Sequence, residues 1–150
     1  MAQDSSEVTV NVAANPNIFA DWQSLTWPGV TDAAIIGPLA DPDFDGVNNF
    51  LEHALGTNAT LASSAALPIS LWRNVSGTDY LALQVRRPIG RTGITYAAEV
   101  SPTLAGGSWT PAVQDGVPTA NGDGTETVYF RDTVPRGATP RFIRLKITQP

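Results

Sequence analysis

Six residues between positions 41 and 52 carry oxygen atoms at spacings that suit a single metal ion. They are Asp41, Asp43, Asp45, Val47, Asn49 and Glu52. In the twelve-residue calcium loop, carboxylates at positions 1, 3 and 5 converge on one ion, position 7 gives a backbone carbonyl, and a glutamate at position 12 gives two oxygens. Gly46 stands at position 6, where such a loop turns sharply. The spacing therefore predicts a Ca²⁺ site with these six residues as ligands, against the alternative of a solvated acidic loop that caps a helix.

The chain around this loop differs from a helix–loop–helix hand. Gly37-Pro38 prevents a regular helix from leading into the loop, and position 8 is Asn48, where paired hands keep a β-branched residue. The carboxylates of the loop would repel one another strongly without a cation. We therefore expect a loop followed by a helix that holds one structural ion, and not a calcium switch.

Two short helices are predicted around the loop. Apolar residues at helical spacing follow it directly, and Gly56 then stops the pattern, which predicts a helix near 48–55. These apolar residues are Val47, Phe50, Leu51, Ala54 and Leu55. Upstream, the spacing of Ile18, Trp22 and Leu25 predicts a helix near 18–25 that is capped near Asn17.

The sequence Asp-Pro-Asp-Phe-Asp-Gly-Val-Asn-Asn-Phe-Leu-Glu-His-Ala-Leu-Gly-Thr-Asn, at residues 41–58, resembles the thrombospondin type 3-like calcium loop of large secreted bacterial proteins. The resemblance extends loosely over residues 18–149. It implies an extracellular, non-catalytic module. The ligand positions that it matches are Asp41, Asp43, Asp45, Asn49 and Glu52, with the carbonyl of Val47. Phe44 stands where the family usually has glycine, and Asn58 where it usually has aspartate.

The rest of the chain, from about Leu67, has the alternation and the turn residues of short strands. The predicted strands are Ile69–Arg73, Tyr80–Arg87, Ile94–Ser101, Trp109–Val113, Thr125–Arg131 and Arg141–Thr148. Near the start of the chain, residues 7–12 alternate strictly, with Val8, Val10 and Val12 on one face. This alternation predicts a further, N-terminal strand.

We therefore predict a mainly β fold, an Ig-like antiparallel β-sandwich with a small N-terminal loop–helix calcium-binding unit. The sandwich occupies residues 67–150, the loop–helix unit residues 17–62, and the N-terminal strand residues 1–16. Residues 17–150 are expected to form one cooperative domain.

The composition excludes several classes of site. The chain has no cysteine, which excludes disulfides and thiol chemistry, and its single histidine, His53, makes a His-rich metal site or a Ser-His-Asp triad improbable. Its formal net charge of −5 is unsuited to nucleic acid. No apolar stretch is long enough for a membrane helix, so no membrane insertion is expected. The convergent carboxylates serve the predicted ion, so we do not expect an enzyme.

Four tryptophans, Trp22, Trp27, Trp72 and Trp109, support two interpretations. They pack the core and the contacts between elements, or they form an aromatic platform for sugars. We expect Trp109 to be core, because it starts a predicted strand after a Gly-Gly turn, and any ligand-facing residue to be Trp27 or Trp72. The Asn121-Gly-Asp-Gly segment is expected to be a hairpin turn and not a second cation loop.

The sequence thus predicts a calcium-stabilised structural or surface-assembly module, secreted or at a bacterial cell surface. Its expected partners are copies of itself, joined by strand addition, or other surface proteins. The alternative is a carbohydrate-binding β-sandwich that uses exposed tryptophans to bind a polysaccharide.

Overall fold

The computed structural model of the protein describes residues 13–63 and 67–149. The strand predicted at residues 7–12 lies outside the described residues. The helices are α1 (Phe19–Thr26), α2 (Ala33–Ile36) and α3 (Asn49–Leu55). No helix of the described ranges is long and apolar enough to span a membrane.

The helix α3 confirms the prediction from the apolar stripe. Its N-cap is Asn48, whose side chain accepts a hydrogen bond from the Leu51 N–H at 3.0 Å. It ends at Gly56, which has a φ of 74° and donates its N–H to the carbonyl of Glu52. Both ends therefore have the local chemistry that a helix of this length needs.

The two upstream helices differ in detail from the prediction. The helix predicted near 18–25 is present as α1, but its N-cap is Ile18, one residue after Asn17, and no side chain caps it. The Ile18 N–H bonds to the carbonyl of Asn15. Residues 33–36 form the single helical turn α2, capped by Asp32, and it ends at Gly37 where Gly37-Pro38 stops it.

In the part of the chain that the structure describes, eight strands form two antiparallel sheets. They are β1 (Ile69–Val75), β2 (Thr78–Pro88), β3 (Thr95–Ser101), β4 (Thr110–Pro111), β5 (Val113–Gln114), β6 (Thr119–Ala120), β7 (Thr125–Pro135) and β8 (Phe142–Thr148). One sheet has the order β1-β2-β7-β5, with β6 also paired to β7, and the other has the order β4-β3-β8. The sheets pack face to face, which confirms the mainly β, sandwich-like fold.

The predicted single strand Trp109–Val113 is wrong. Its residues form two short strands in different sheets, because β4 pairs with β3 and β5 pairs with β7. The chain crosses between the sheets at Ala112, whose N–H bonds to the carbonyl of Ala98 at 2.8 Å. A crossing this short leaves the alternation intact, so the sequence pattern alone could not show it.

The loop–helix unit is packed onto the sandwich core. Leu55, from α3, belongs to the same buried cluster as Val85 and Val128 from β2 and β7. The hydroxyl of Tyr96, on β3, donates to the carbonyl of Ala54 at 2.6 Å. An interaction that stabilises α3 therefore also stabilises the sandwich against which α3 packs.

Candidate metal centre

The loop before α3 brings three carboxylates together. One oxygen from each of Asp41, Asp43 and Asp45 lies within 4.8 Å of the others, and the three residues are half-buried. This cluster could hold a metal ion, and its position is the one that the spacing predicted.

Backbone N–H groups of the loop fix these carboxylates in place. Oδ2 of Asp41 accepts from the Gly46 N–H at 3.0 Å, and Oδ1 of Asp43 accepts from the Asp45 N–H at 3.3 Å. Asp45 accepts from the Val47 N–H at 2.8 Å through Oδ1. Its Oδ2 accepts from the N–H of Ser63 at 3.0 Å. Asp41 and Asp43 thus each use one carboxylate oxygen in a hydrogen bond within the loop.

Two residues in the left-handed region complete the turn. Gly46 has a φ of 88°, which agrees with the sharp turn predicted there, and Phe44 has a φ of 59°. A residue with a Cβ is strained in this region, and the Phe44 side chain is 89% exposed, so no packing compensates the strain. The backbone conformation at this position therefore explains why glycine suits it.

The remaining carboxylate oxygens are buried without a hydrogen-bond partner among the described residues. They are Oδ1 of Asp41, Oδ2 of Asp43 and Oε2 of Glu52. Glu52 is fully buried on α3, and its other oxygen accepts from the Thr57 hydroxyl at 3.4 Å. Buried acceptors without donors are rare in folded proteins, and a cation held by the cluster would satisfy the oxygens of Asp41 and Asp43. Glu52 is not among the residues whose oxygens all lie within 4.8 Å of one another, so the structure brings three of the four predicted carboxylates together.

The negative charges of the cluster act on Glu52. Burial, followed by the negative charges of Asp43 and Asp45, raises the pKa of Glu52 to about 7. Burial also raises the pKa of Asp43, and the charges of Asp45 and Asp41 add to this effect. Carboxylates whose pKa values are raised by burial and by neighbouring negative charges are the groups that a cation stabilises most.

Asn49, at the predicted ligand position 9, has a second role that the sequence did not reveal. It is fully buried, and its Nδ2 donates to the carbonyls of Ile35 and Gly37, both at 2.8 Å. The side chain therefore ties the start of α3 to the end of α2. Its Oδ1 is buried and has no hydrogen-bond partner among the described residues.

His53 is packed and lies outside the acidic cluster. Its ring contacts those of Phe19 and Trp22, with centroids 5.4 and 5.2 Å apart. Its Nε2 lies 3.2 Å from the carbonyl of Pro16 and must carry the hydrogen, since a carbonyl only accepts. Burial, with the charge of Arg91, lowers the pKa of His53 to about 4, so the imidazole is neutral at pH 7.

Trp22 and Trp27 lie together, whereas Trp72 lies on a different element. Trp22 and Trp27 contact each other edge to face, with ring centroids 5.5 Å apart, in the helical part of the chain. Trp72, on β1, is 47% exposed and has the guanidinium of Arg136 over its ring at 4.7 Å. These rings do not form one continuous aromatic contact.

The expectation that Trp109 is core is wrong. The residue is half-buried, and the Arg144 guanidinium covers its ring at 4.1 Å from the centroid. The Gly-Gly turn before it ends in a short 3₁₀ turn, and β4 begins only at Thr110. Trp109 is therefore held by a cation–π contact at the surface and not by the core.

The Asn121-Gly-Asp-Gly segment is the hairpin turn that the sequence predicted, between β6 and β7. Oδ1 of Asp123 accepts from the N–H and the hydroxyl of Thr125, and Oδ2 accepts from Arg86 at 2.5 Å. Its carboxylate is thus satisfied without an ion. Within the described residues, the cluster at 41–45 is the one group of three acidic side chains close enough to share a metal.

No family model, curated protein or solved structure matches this chain. Its function is therefore inferred from its own residues and their geometry.

Proposed function

We propose that this chain is a non-catalytic, calcium-stabilised extracellular module with a structural or surface-assembly role. The observation that carries the proposal is the cluster of Asp41, Asp43 and Asp45, in which buried oxygens of Asp41 and Asp43 have no hydrogen-bond partner among the described residues. These three carboxylates repel one another in the folded chain unless a cation lies among them.

The donor set favours Ca²⁺ over other metals. The ligands are carboxylate oxygens of Asp41, Asp43, Asp45 and Glu52, the carbonyl of Val47 and the amide oxygen of Asn49. An all-oxygen set with more than six donor atoms and no histidine or cysteine suits Ca²⁺, whereas Zn²⁺ prefers nitrogen and sulfur. Mg²⁺ requires a tighter octahedron and loses its water reluctantly.

The packing of α3 favours a structural ion. Glu52 lies on the same helix as Leu55, which belongs to the sandwich core. An ion at Glu52 therefore holds the loop, the helix and the sandwich in one arrangement. A switch needs a second arrangement that exposes a binding surface, and a helix anchored in the core cannot move freely to provide it.

An extracellular location follows from the chemistry of such an ion. A structural site must remain filled, and calcium is millimolar outside cells, where a site of micromolar affinity stays saturated. The resemblance to the calcium loop of secreted bacterial proteins points to the same compartment. The expected partners are further copies of the chain or other surface proteins. Binding of a polysaccharide through the tryptophans stays a prediction that no contact in the structure favours.

Calorimetric titration of metal-stripped protein tests this function. We expect one Ca²⁺ per chain with a Kd near micromolar, and binding of Mg²⁺ weaker by on the order of a hundredfold. Asp43→Asn should remove most of the affinity, because it deletes a charged ligand. Asp123→Asn is the matched control, because it removes the same charge from a carboxylate that Arg86 and Thr125 already satisfy. Equal loss in both variants, or no binding heat, would refute the site.

A further inference from the structure

We propose that the free edge of β8 receives residues 7–12 of a second copy of this chain as an added strand. The inference rests on the assembly role proposed above and names the surface that carries it. It does not depend on the metal.

The two sheets have unequal widths, so that no described strand lies on the outer side of β8. In the larger sheet β1 lies outside β2, whereas β8, which lies against β2, pairs with β3 alone among the described strands. Among the described strands, the three-stranded sheet therefore has no strand beyond β8. In an antiparallel pair, every second residue of an edge strand directs its N–H and C=O groups outwards. Within residues 13–63 and 67–149, the outer edge of the seven-residue strand β8 thus has no backbone partner.

The exposure of β1 shows that its inner face is uncovered. Ser70 and Trp72 pair with Leu83 and Leu81 on β2, and Leu83 belongs to the core cluster, so these partners face the sandwich interior. Ser70 and Trp72 are nevertheless exposed, while Leu71 on the opposite face is half-buried. An inner face more exposed than the outer face is the reverse of what a complete sandwich shows.

An apolar groove runs between β1 and β8 at this position. It consists of two cavities of about 360 and 450 Å³. The residues that line this β1–β8 groove include Leu67, Ser70, Leu81, Ile143, Leu145 and Ile147. The three β8 residues point inwards and are only half-buried, so a strand added to β8 would complete their burial.

Residues 7–12 have the sequence that this groove requires. Val8, Val10 and Val12 alternate with Glu7, Thr9 and Asn11, so one face of an extended segment is entirely valine. These six residues are one fewer than the seven of β8, so they can pair along most of its length. Alternation of this kind supplies apolar side chains to the groove while the backbone pairs with the edge.

Charge on the outer face of β8 fits the same segment. Arg144 and Lys146 both donate to a single carboxylate, that of Glu99, at 2.7 and 3.0 Å. With the valines inward, Glu7 of the added strand would lie on this outer face and supply a second carboxylate to the two cations.

The position of the first described residues favours a second copy over the same chain. His53 faces Phe19 and Pro16, whereas Leu51 and Leu55 face the groove, so the chain near Pro16 and the groove lie on opposite sides of α3. Only two residues lie between position 12 and position 15, and the three chain steps span at most about 10 Å. A helix with its side chains is about 10–12 Å across. Residues 7–12 of a second copy can reach the groove without passing around α3 of the first copy.

Cysteine cross-linking tests this arrangement, because the chain has no cysteine of its own. Thr9→Cys protein is mixed with Phe142→Cys, Lys146→Cys or Thr148→Cys protein, which sample the outer face of β8, under mild oxidation. The control partner is Thr119→Cys on β6, at the other side of the larger sheet. Since a disulfide needs Cβ atoms about 4 Å apart, at least one β8 position should give on the order of tenfold more linked dimer than the control.

A matched pair of charge substitutions tests the valine face. Val10→Asp should reduce the oligomer fraction in sedimentation about tenfold, because it buries a charge in the groove, whereas Asn11→Asp should leave it unchanged or raised.

The possible results separate this inference from the proposed function. If oligomers form but the Thr119→Cys control cross-links as well as the β8 variants, β8 is not the strand that receives residues 7–12. The assembly role would still stand. A disulfide within single chains of a dilute Thr9→Cys/Lys146→Cys double variant overturns the second copy as the occupant. Protein that stays monomeric at every concentration overturns both the added strand and the assembly role, while calcium binding is decided by its own titration.

Discussion

Glu52 is the residue on which the metal proposal depends most. It is fully buried, and one of its oxygens has no described partner. Burial, followed by the charges of three aspartates, raises its pKa. An ionised carboxylate in such a place costs several kcal/mol unless a cation compensates it. In metal-free protein the side chain avoids part of this cost by holding a proton near neutral pH.

Calcium affinity should therefore depend on pH around 7. Because the folded, metal-free protein holds the Glu52 proton up to a pKa of about 7, calcium must displace that proton below this pH. We expect the apparent affinity to fall by up to about tenfold per unit as the pH drops from 7 to 6, and to level off above 8. Titration calorimetry at pH 6, 7 and 8 measures the apparent calcium affinity. An affinity that is constant from pH 6 to 8 would contradict the assignment.

Phe44→Gly should stabilise the protein. The residue has a φ of 59° and an exposed ring, so glycine relieves strain and removes no packing. We expect a gain of about 1 kcal/mol in the free energy of unfolding, measured by urea denaturation in calcium. Phe44→Ala is the control, because it removes the same ring and keeps the Cβ. Equal stability of the two variants would show that the backbone conformation is not the cause.

At the scale of elements, α3 connects the acidic loop to the sandwich. Its first turn carries Glu52, Asn49 ties it to α2, and Leu55 enters the core. Its C-terminal end is equally constrained, because a Cβ on Gly56 would lie 2.7 Å from Cγ of Pro88 on β2. The helix thus has fixed contacts at both ends.

Gly56→Ala should destabilise the protein by about 2–4 kcal/mol, because it adds a clash with Pro88 to the strain of a positive φ. Gly29→Ala is the matched control. Its φ of 76° is nearly the same, but its Cβ would meet nothing within 4 Å, so only about 1 kcal/mol is expected. Thermal melts of both variants measure the difference. A loss at Gly29 as large as that at Gly56 would contradict the packing of α3 against β2.

The elements that could be predicted from the sequence are those fixed by local chemistry. The stripe that ends at Gly56 predicted α3, and fixed spacing predicted the cluster of Asp41, Asp43 and Asp45. The contacts of Asn49 could not be predicted, because its partner carbonyls on α2 meet it only in the folded chain. The crossing at Ala112 was missed for a related reason, since alternation does not reveal which sheet a strand joins.

At the scale of the whole molecule, a single ion would influence the stability of the entire described fold. The core cluster joins α3 to both sheets, so order at Glu52 and order in the sandwich are linked. Binding to the folded chain alone stabilises it by mass action, by about 4 kcal/mol at a calcium concentration a thousand times the Kd. Loss of the ion should weaken the fold as one unit.

The most direct test compares thermal unfolding in millimolar calcium and in chelator, with removal of the metal verified by elemental analysis. We predict that Tm is higher in calcium by on the order of 10 °C. Glu52→Gln should lose most of this difference while its melt in chelator stays near that of the parent chain, and Asp123→Asn should keep the full difference. Identical melts of the parent chain in calcium and in chelator would contradict the account.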